Sequence, residues 1–281
     1  DLFDSILLMR SSLITKRASI GTTLAKRTIW AVKISKHPDM DENEPRPLCT
    51  ALHHAREPES MMQLIYFMWY LLENYGTDEE VTGLVDHREM YFVPVVNPDG
   101  YAYNQETDPT GGGMWRKNRR KNPDSISVGV DLNRNYGYQW GFDNVGSSPK
   151  GSDETYRGTS GFSEPELQAI RNFCIAKKFS VALNYHTYGN LLIYPWGYSD
   201  SNTRDSVFFW SMASDLTASN LYTYGTGSQT VGYVTNGDSD DWMYGDTLAK
   251  PKVFSMTPEV GPFTDGFWPA QARILPLAQE N

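Results

Sequence analysis

Pro47 to His53 is a short, almost continuously apolar run, and only His54–Glu57 separates it from a longer apolar stretch, Pro58 to Asn74. A strand without polar alternation must be covered on both faces, as at the centre of a sheet with helices above and below. Pro58 suits the first turn of a helix. Met61, Met62, Leu64, Ile65, Phe67, Met68, Leu71 and Leu72 cover nearly every side of that helix, so it too is largely buried. A buried strand passing directly into a buried helix leaves few architectures open, and the pattern elsewhere selects among them.

Thr28 to Ile34 alternates and is rich in β-branched and aromatic residues, which predicts a strand. Met90 to Val96 predicts another, stopped by the turn former Asn97-Pro98-Asp99-Gly100. Ser163 with Glu166 predicts a capping box that opens a helix to about Lys178. A strand from Val181 to Tyr185 then delivers His186, a helix spans Asp205 to Asn220, and a strand from Val253 to Thr257 delivers Glu259. Strands alternating with helices imply an α/β sheet covered on both faces. In such sheets functional groups gather where strands end, and His54, His186 and Glu259 all stand at such places.

The 281 residues contain no internal repeat and no long linker, and Gly111-Gly112-Gly113 reads as a surface loop, so a single domain over residues 1–281 is expected. Apolar residues make up 40% and charged residues 21%, the balance of a globular protein. A net charge of -9 argues against nucleic acid or an anionic membrane as the main partner. No apolar run approaches the roughly 20 residues of a membrane span. Ile6-Leu7-Leu8-Met9 is short and follows acidic residues, so it is not read as a signal peptide. Cys49 and Cys174 are the only cysteines; two separate buried thiols or one disulfide are both compatible with their settings.

His54 and Glu57 are three apart where the strand turns into the helix, a spacing that lets an imidazole and a carboxylate converge on one ion if the chain bends between them. Alone the spacing is a weak signal, because chance supplies it readily. His186, at a strand end, is the natural third ligand. Two nitrogens and a carboxylate leave one position open, as in catalytic rather than structural zinc sites. His37 and His87 lie in polar or charged stretches and read as surface residues. His53 points to the other side of its strand from His54 and reads as a supporting or core residue.

The chain resembles the M14 metallocarboxypeptidases, the relatives of carboxypeptidases A, B and T, from about Ile20 to Phe267. The landmarks are His54-Ala55-Arg56-Glu57, Asn97-Pro98-Asp99-Gly100-Tyr101, Trp115-Arg116-Lys117, Asp131-Leu132-Asn133-Arg134-Asn135 and His186-Thr187-Tyr188. Tyr194-Pro195-Trp196-Gly197-Tyr198, Tyr233, Asp240-Asp241-Trp242 and Thr257-Pro258-Glu259 follow in order, with wording closest to the bacterial carboxypeptidase T branch. The resemblance implies a central mixed sheet of about eight strands flanked by helices and one zinc ion held by His54, Glu57 and His186. It makes Glu259 the base that activates water and passes its proton to the leaving amine. It also makes Arg116 the group that stabilises the oxyanion, although Arg116-Lys117-Asn118-Arg119-Arg120 by composition looks like a solvated basic run.

The resemblance further implies that Asn133 and Arg134 grip a substrate's terminal carboxylate, for which a planar guanidinium is suited. Tyr233 becomes a mobile tyrosine that closes over substrate, Arg56 and Tyr188 become subsite residues beside the zinc, and Asp240 becomes the base of the side-chain pocket. The implied activity removes single C-terminal residues, basic and hydrophobic ones alike, from peptides and proteins. A secreted, monomeric enzyme without a prodomain in the given chain is the matching expectation. Calcium is possible with 34 acidic residues, but no EF-hand loop supports a specific site. Three departures stand out. Gly113 replaces a second arginine of A- and B-type enzymes, their disulfide cysteines are missing, and the segment Gly266-Phe267-Trp268-Pro269 is shorter, leaving Phe267 as a pocket residue to be tested. Two rivals remain open at the level of sequence: a zinc amidase of the same fold acting on cell-wall peptides or acyl amino acids, and a C-terminus-binding protein without catalysis.

Overall fold

The computed structural model describes residues 2–281, with side chains described from Ser5 onward. In chain order the elements are α1 (Leu2–Met9), β1 (Ala18–Thr22), β2 (Thr28–Ile34), β3 (Pro47–Ala51), α2 (Pro58–Asn74), α3 (Glu79–Asp86), β4 (Met90–Val93) and α4 (Pro98–Thr107). A short 3-10 turn (Leu132–Arg134) is followed by α5 (Pro165–Lys177), β5 (Val181–Tyr185), β6 (Leu191–Ile193), α6 (Ser206–Leu216) and β7 (Thr223–Gly225). The chain ends with α7 (Gly227–Thr230), α8 (Ser239–Gly245), β8 (Phe254–Glu259) and α9 (Gln271–Glu280).

The eight strands form one sheet in the order β1-β2-β4-β3-β5-β8-β6-β7. Its centre, β4-β3-β5-β8, is parallel, while β1, β2 and β6 bring antiparallel pairings at the flanks. This mixed eight-stranded sheet is the expected one. Cys49, Ala51, Phe92 and Tyr185 join Leu64, Met68 and Leu72 of α2 in one layer. Leu48, Tyr91, Val93 and Ala182 join Ile170 and Cys174 of α5 and Trp242 of α8 in the other. Apolar residues must therefore occupy successive positions of the central strands, which is why Pro47–Ala51 carries no polar alternation. Both cysteines are buried and free, one in each layer, as separate thiols.

Several boundaries differ from the sequence expectation, each for a local reason. The strand expected from Pro47 to His53, β3, stops at Ala51, because Leu52 takes a positive φ of 57° and bends the chain out of the sheet. Its amide donates to Ser60 Oγ at 3.1 Å, and Ser60 Oγ donates to the Glu57 carbonyl at 2.7 Å, stapling the strand end to the start of α2. Asn97 to Gly100 is not a turn but a helix start: Asn97 Oδ1 accepts from the Gly100 amide at 3.0 Å and Pro98 occupies the first turn of α4. The capping box of Ser163 and Glu166 does not form. Glu164 precedes α5 without a side-chain cap, and Ser163 Oγ instead donates to Glu164 Oε1 at 2.8 Å and accepts from Asn135 at 2.9 Å. The helix expected from Asp205 to Asn220 runs only over Ser206–Leu216, and the last strand begins at Phe254.

Gly100 seats α4 against the loops that carry the site. A Cβ there would lie 2.5 Å from the Lys117 carbonyl oxygen and 2.7 Å from Ala55 Cβ. Gly100→Ala is therefore expected to destabilise the fold by roughly 1–3 kcal/mol through overpacking. Denaturant unfolding measures this; a midpoint matching the native chain would show that the loops yield.

Candidate functional site

Parallel register brings three chain segments to one edge of the sheet. Ala51 of β3 pairs with Tyr185 of β5, so His54, beyond the bend at Leu52, meets His186, the residue after β5. The His186 amide donates to the Pro258 carbonyl at 2.9 Å, which sets Glu259 beside it at the end of β8. His54 Nδ1, the Glu57 carboxylate and His186 Nδ1 all lie within 4.8 Å of one another and are buried. Glu57 Oε1 is 2.8 Å from His54 Nδ1, Glu57 Oε2 is 2.8 Å from His186 Nδ1, and the two Nδ1 atoms are 3.1 Å apart.

That geometry is a test of metal fit. Two imidazole nitrogens facing each other in a buried space have no hydrogen-bonding purpose when both present lone pairs. A shared cation gives both a partner, and an N, N, carboxylate donor set is the kind that takes zinc while leaving a position open. Burial opposes ionisation of Glu57, but the two imidazoles outweigh it and hold the carboxyl far below its ordinary range. Glu57 is thus ionised, as a cation ligand must be, while the same carboxylate raises the His186 imidazole against the effect of burial, so a bound cation would displace a proton there.

Behind this cluster lies Asp131, which is completely buried. Its Oδ1 is 3.2 Å from His54 Nε2 and accepts from the Asn133 amide at 3.0 Å. Its Oδ2 accepts from Arg116 Nε at 3.1 Å and Nη2 at 2.8 Å. Burial alone would raise the Asp131 carboxyl, yet Arg116 and His54 keep it well below the ordinary range. One carboxylate therefore fixes the tautomer of His54 and the orientation of a guanidinium. Asn104 steadies the same segment by donating to the Ala55 and Trp115 carbonyls at 3.0 and 2.9 Å. Gly113 packs directly on Asn104: a Cβ would meet its Oδ1 at 2.7 Å, so a longer residue there would displace Asn104.

A cavity of about 380 Å³ opens in front of the cluster, and every site residue expected from the sequence except His186 lines it; His186 meets it through Glu57, which does. Arg134 donates from Nε to the Gly146 carbonyl at 2.9 Å and from Nη1 to the Asn133 carbonyl at 2.7 Å. Its Nη2 keeps no hydrogen bond among the described residues. Asn133 Oδ1 accepts from the Ser239 amide at 3.0 Å, which aims its amide nitrogen toward His186 Nε2, 3.4 Å away. Tyr233 is 55% exposed at the mouth. The Arg56 guanidinium lies over the Phe267 ring at 4.3 Å, and Tyr188 meets Phe267 edge-on at 4.8 Å, so Phe267 does line the cavity. Glu259 reaches the same space, its carboxyl pushed up to about 8 by burial and then by Glu57, against the pull of His186, Arg116 and Arg134.

Asp240 is buried at the floor of the cavity. Asn184 and Ser255 donate to its Oδ1 at 2.8 and 2.6 Å, and Thr257 donates to its Oδ2 at 2.8 Å. Burial, reinforced by the Asp238 charge, lifts its carboxyl to about 6. Asp238 also lines the cavity, capping α8 through the Asp241 amide at 2.9 Å. Asp238, a second carboxylate of the cavity, was not singled out in the sequence. Asp131 was likewise passed over, although it opens the Asp131-Leu132-Asn133-Arg134-Asn135 motif itself. His37 and His87 are surface residues, as expected, and His53 is a buried residue beside His186.

A family model described as Zinc carboxypeptidase (Peptidase_M14) matches residues 6–281. A zinc carboxypeptidase of Saccharothrix mutabilis subsp. capreolus is 32% identical over 282 residues, covering 95% of this chain and 62% of that protein. Carboxypeptidase B of Bos taurus is 31% identical over 273 residues, covering 94% and 62%. The crystal structure of thrombin activatable fibrinolysis inhibitor superimposes with a TM-score of 0.86 at 28% identity, covering 99% of this chain and 70% of that one. The chain thus spans 62% of the length of these curated relatives.

The ligand geometry predicts that zinc stabilises the metal-free protein. At a free concentration one hundred times its Kd, linkage gives about 2.7 kcal/mol, visible as a rise in the calorimetric midpoint. His186→Ala should remove that gain; an equal rise in the folded variant would refute this ligand set.

Proposed function

The chain belongs to the zinc carboxypeptidase family M14, and from that premise we propose that it is an exopeptidase releasing single C-terminal residues from peptides and proteins. The observation that carries this is the meeting of the His54–Glu57–His186 cluster with Arg134, Asn133, Arg116 and Glu259 in one cavity of about 380 Å³.

Zinc, held by His54, Glu57 and His186, would act as a Lewis acid on the scissile carbonyl and lower the pKa of water toward 7. The protein's own groups do the rest. Arg134, with Nη2 uncommitted, and Asn133 bind the terminal carboxylate, which fixes the scissile bond one residue away. Glu259 takes a proton from the attacking water and returns it to the leaving amine. Arg116, kept in place by Asp131, stabilises the negative charge that develops on the carbonyl oxygen. Tyr233 closes the mouth over substrate, and Arg56 and Tyr188 contact the residues that precede the scissile bond. In this reading residues 1–281 work as one catalytic unit, a secreted monomer acting on peptide C-termini. Among the described residues no helix is long and apolar enough to cross a membrane.

Asp240 supports acceptance of C-terminal Lys and Arg, while the apolar part of the wall, with Leu191, Ile193 and Val231, supports hydrophobic residues as well. Like charge disfavours acidic ones. The test is a panel of peptides that vary only in the last residue, assayed with and without a chelator. Release of Lys and Phe that stops on chelation is expected. Cleavage confined to acylated or D-amino-acid substrates would point to the amidase reading, and binding without cleavage to a non-catalytic one.

Glu259→Gln is expected to retain zinc and lose at least about 100-fold in kcat; near-native turnover would remove Glu259 from the mechanism. The raised Asp240 carboxyl, at about 6, also fixes a pH effect. It is ionised above that value and neutral below, whereas substrate lysine stays charged throughout. The ratio of kcat/KM for Lys over Phe peptides should therefore fall as pH drops from 8 to 5. A constant ratio would mean that Asp240 does not read the substrate charge.

A further inference from the structure

A third histidine lies against the ligand pair. His53 is completely buried, and its ring stacks on His186 with centroids 5.4 Å apart and planes 19° apart. Its Nε2 is 2.8 Å from Tyr136 Oη. Tyr136, equally buried, donates its amide to the Gly237 carbonyl at 2.8 Å, at the root of the loop that carries Tyr233. Among the described residues His53 Nδ1 has no hydrogen-bond partner.

This pairing always leaves one buried donor over. If Tyr136 Oη donates to Nε2, the neutral ring carries its proton on the unpartnered Nδ1. If Nε2 donates to Oη, the phenol proton has no acceptor. Two apolar side chains of similar shape would avoid that loss, so stability alone gives no reason for these residues.

His186 supplies one. His54 is oriented by the Asp131 carboxylate on its Nε2. Among the described residues His186 Nε2 faces only Asn133 Nδ2, and the Ser239 amide fixes that side chain with its donor end toward the ring. A histidine that offers its Nδ1 lone pair to a metal carries its proton on Nε2. A donor facing a donor cannot orient the ring, but a flat partner packed on its face can.

We propose that His53, locked by Tyr136, is a positioning residue that holds the plane of the His186 imidazole so that Nδ1 stays aimed at the ligand cluster. The inference rests on the reading of His186 as a metal ligand. It also links the metal cluster, through Tyr136 and Gly237, to the base of the Tyr233 loop.

The test measures zinc affinity by chelator competition, with thermal unfolding of the metal-free protein as a check on folding. A native chain that binds no zinc overturns the metal reading itself. Given native binding, His53→Leu should lose roughly 10-fold or more in affinity. His53→Phe keeps a flat ring and should retain most of it, with Tyr136→Phe falling between. Native affinity in a folded His53→Leu variant overturns the proposal, as do equal losses in the Leu and Phe variants. If His53→Leu fails to fold, unchanged affinity in Tyr136→Phe has the same consequence.

Discussion

Asp131 is the group on which the rest of the site depends. A carboxylate with no exposure would ordinarily be costly, because burial penalises its charge. Here the charge is met from both sides, by Arg116 on one oxygen and by His54 with the Asn133 amide on the other. The three partners become rigid with respect to one another through a single planar group. Arg116 cannot swing into solvent without leaving a buried anion unpaired, and His54 cannot flip without losing its acceptor. His54, the guanidinium and the segment that carries Asn133 and Arg134 are therefore held together by one carboxylate.

What delivers those partners to Asp131 is the parallel centre of the sheet. His54 and His186 are 132 positions apart in the chain, yet the pairing of β3 with β5 leaves their Nδ1 atoms 3.1 Å apart. The pairing of β5 with β8 adds Glu259 at the same edge. Because both faces of these strands are packed, a slip in register would expose core residues, and the register is correspondingly well determined. The same burial explains the sharp bend at Leu52. Once the strand leaves the packed layer, the chain can turn His54 and Glu57 toward one point before α2 begins.

The cavity floor shows a second use of buried carboxylates. Asp240 is surrounded by hydroxyl and amide donors and sits near Asp238, so its charge is supported but not neutralised. A group in that condition is open to a further cationic partner, in contrast to Asp131, whose charge is met inside the protein. The difference lies in the partners: the Arg116 guanidinium faces Asp131, whereas only neutral donors face Asp240.

How much of this could be read in advance follows from the range of the forces involved. β2, α2 and β5 stand where the sequence puts them, because apolar patterning and Pro58 act over a few residues. The α4 start was read as a turn, since Asn-Pro-Asp-Gly suits both and only its packing against Ala55 and Lys117 decides. His54, Glu57, His186, Arg116 and the other site residues were legible because they lie in short motifs whose order is distinctive. The sequence by itself thus determined the kind of sheet, the residue types of the His-Glu-His cluster and their places near strand ends. Only the tertiary structure decided that Asp131 joins His54 to Arg116, that Asp238 shares the pocket floor, and that His53 lies flat on His186. Those are contacts across 77, 2 and 133 positions. Even the nearest pair meets only because α8 is seated in the core, and no local propensity encodes where such side chains come to rest.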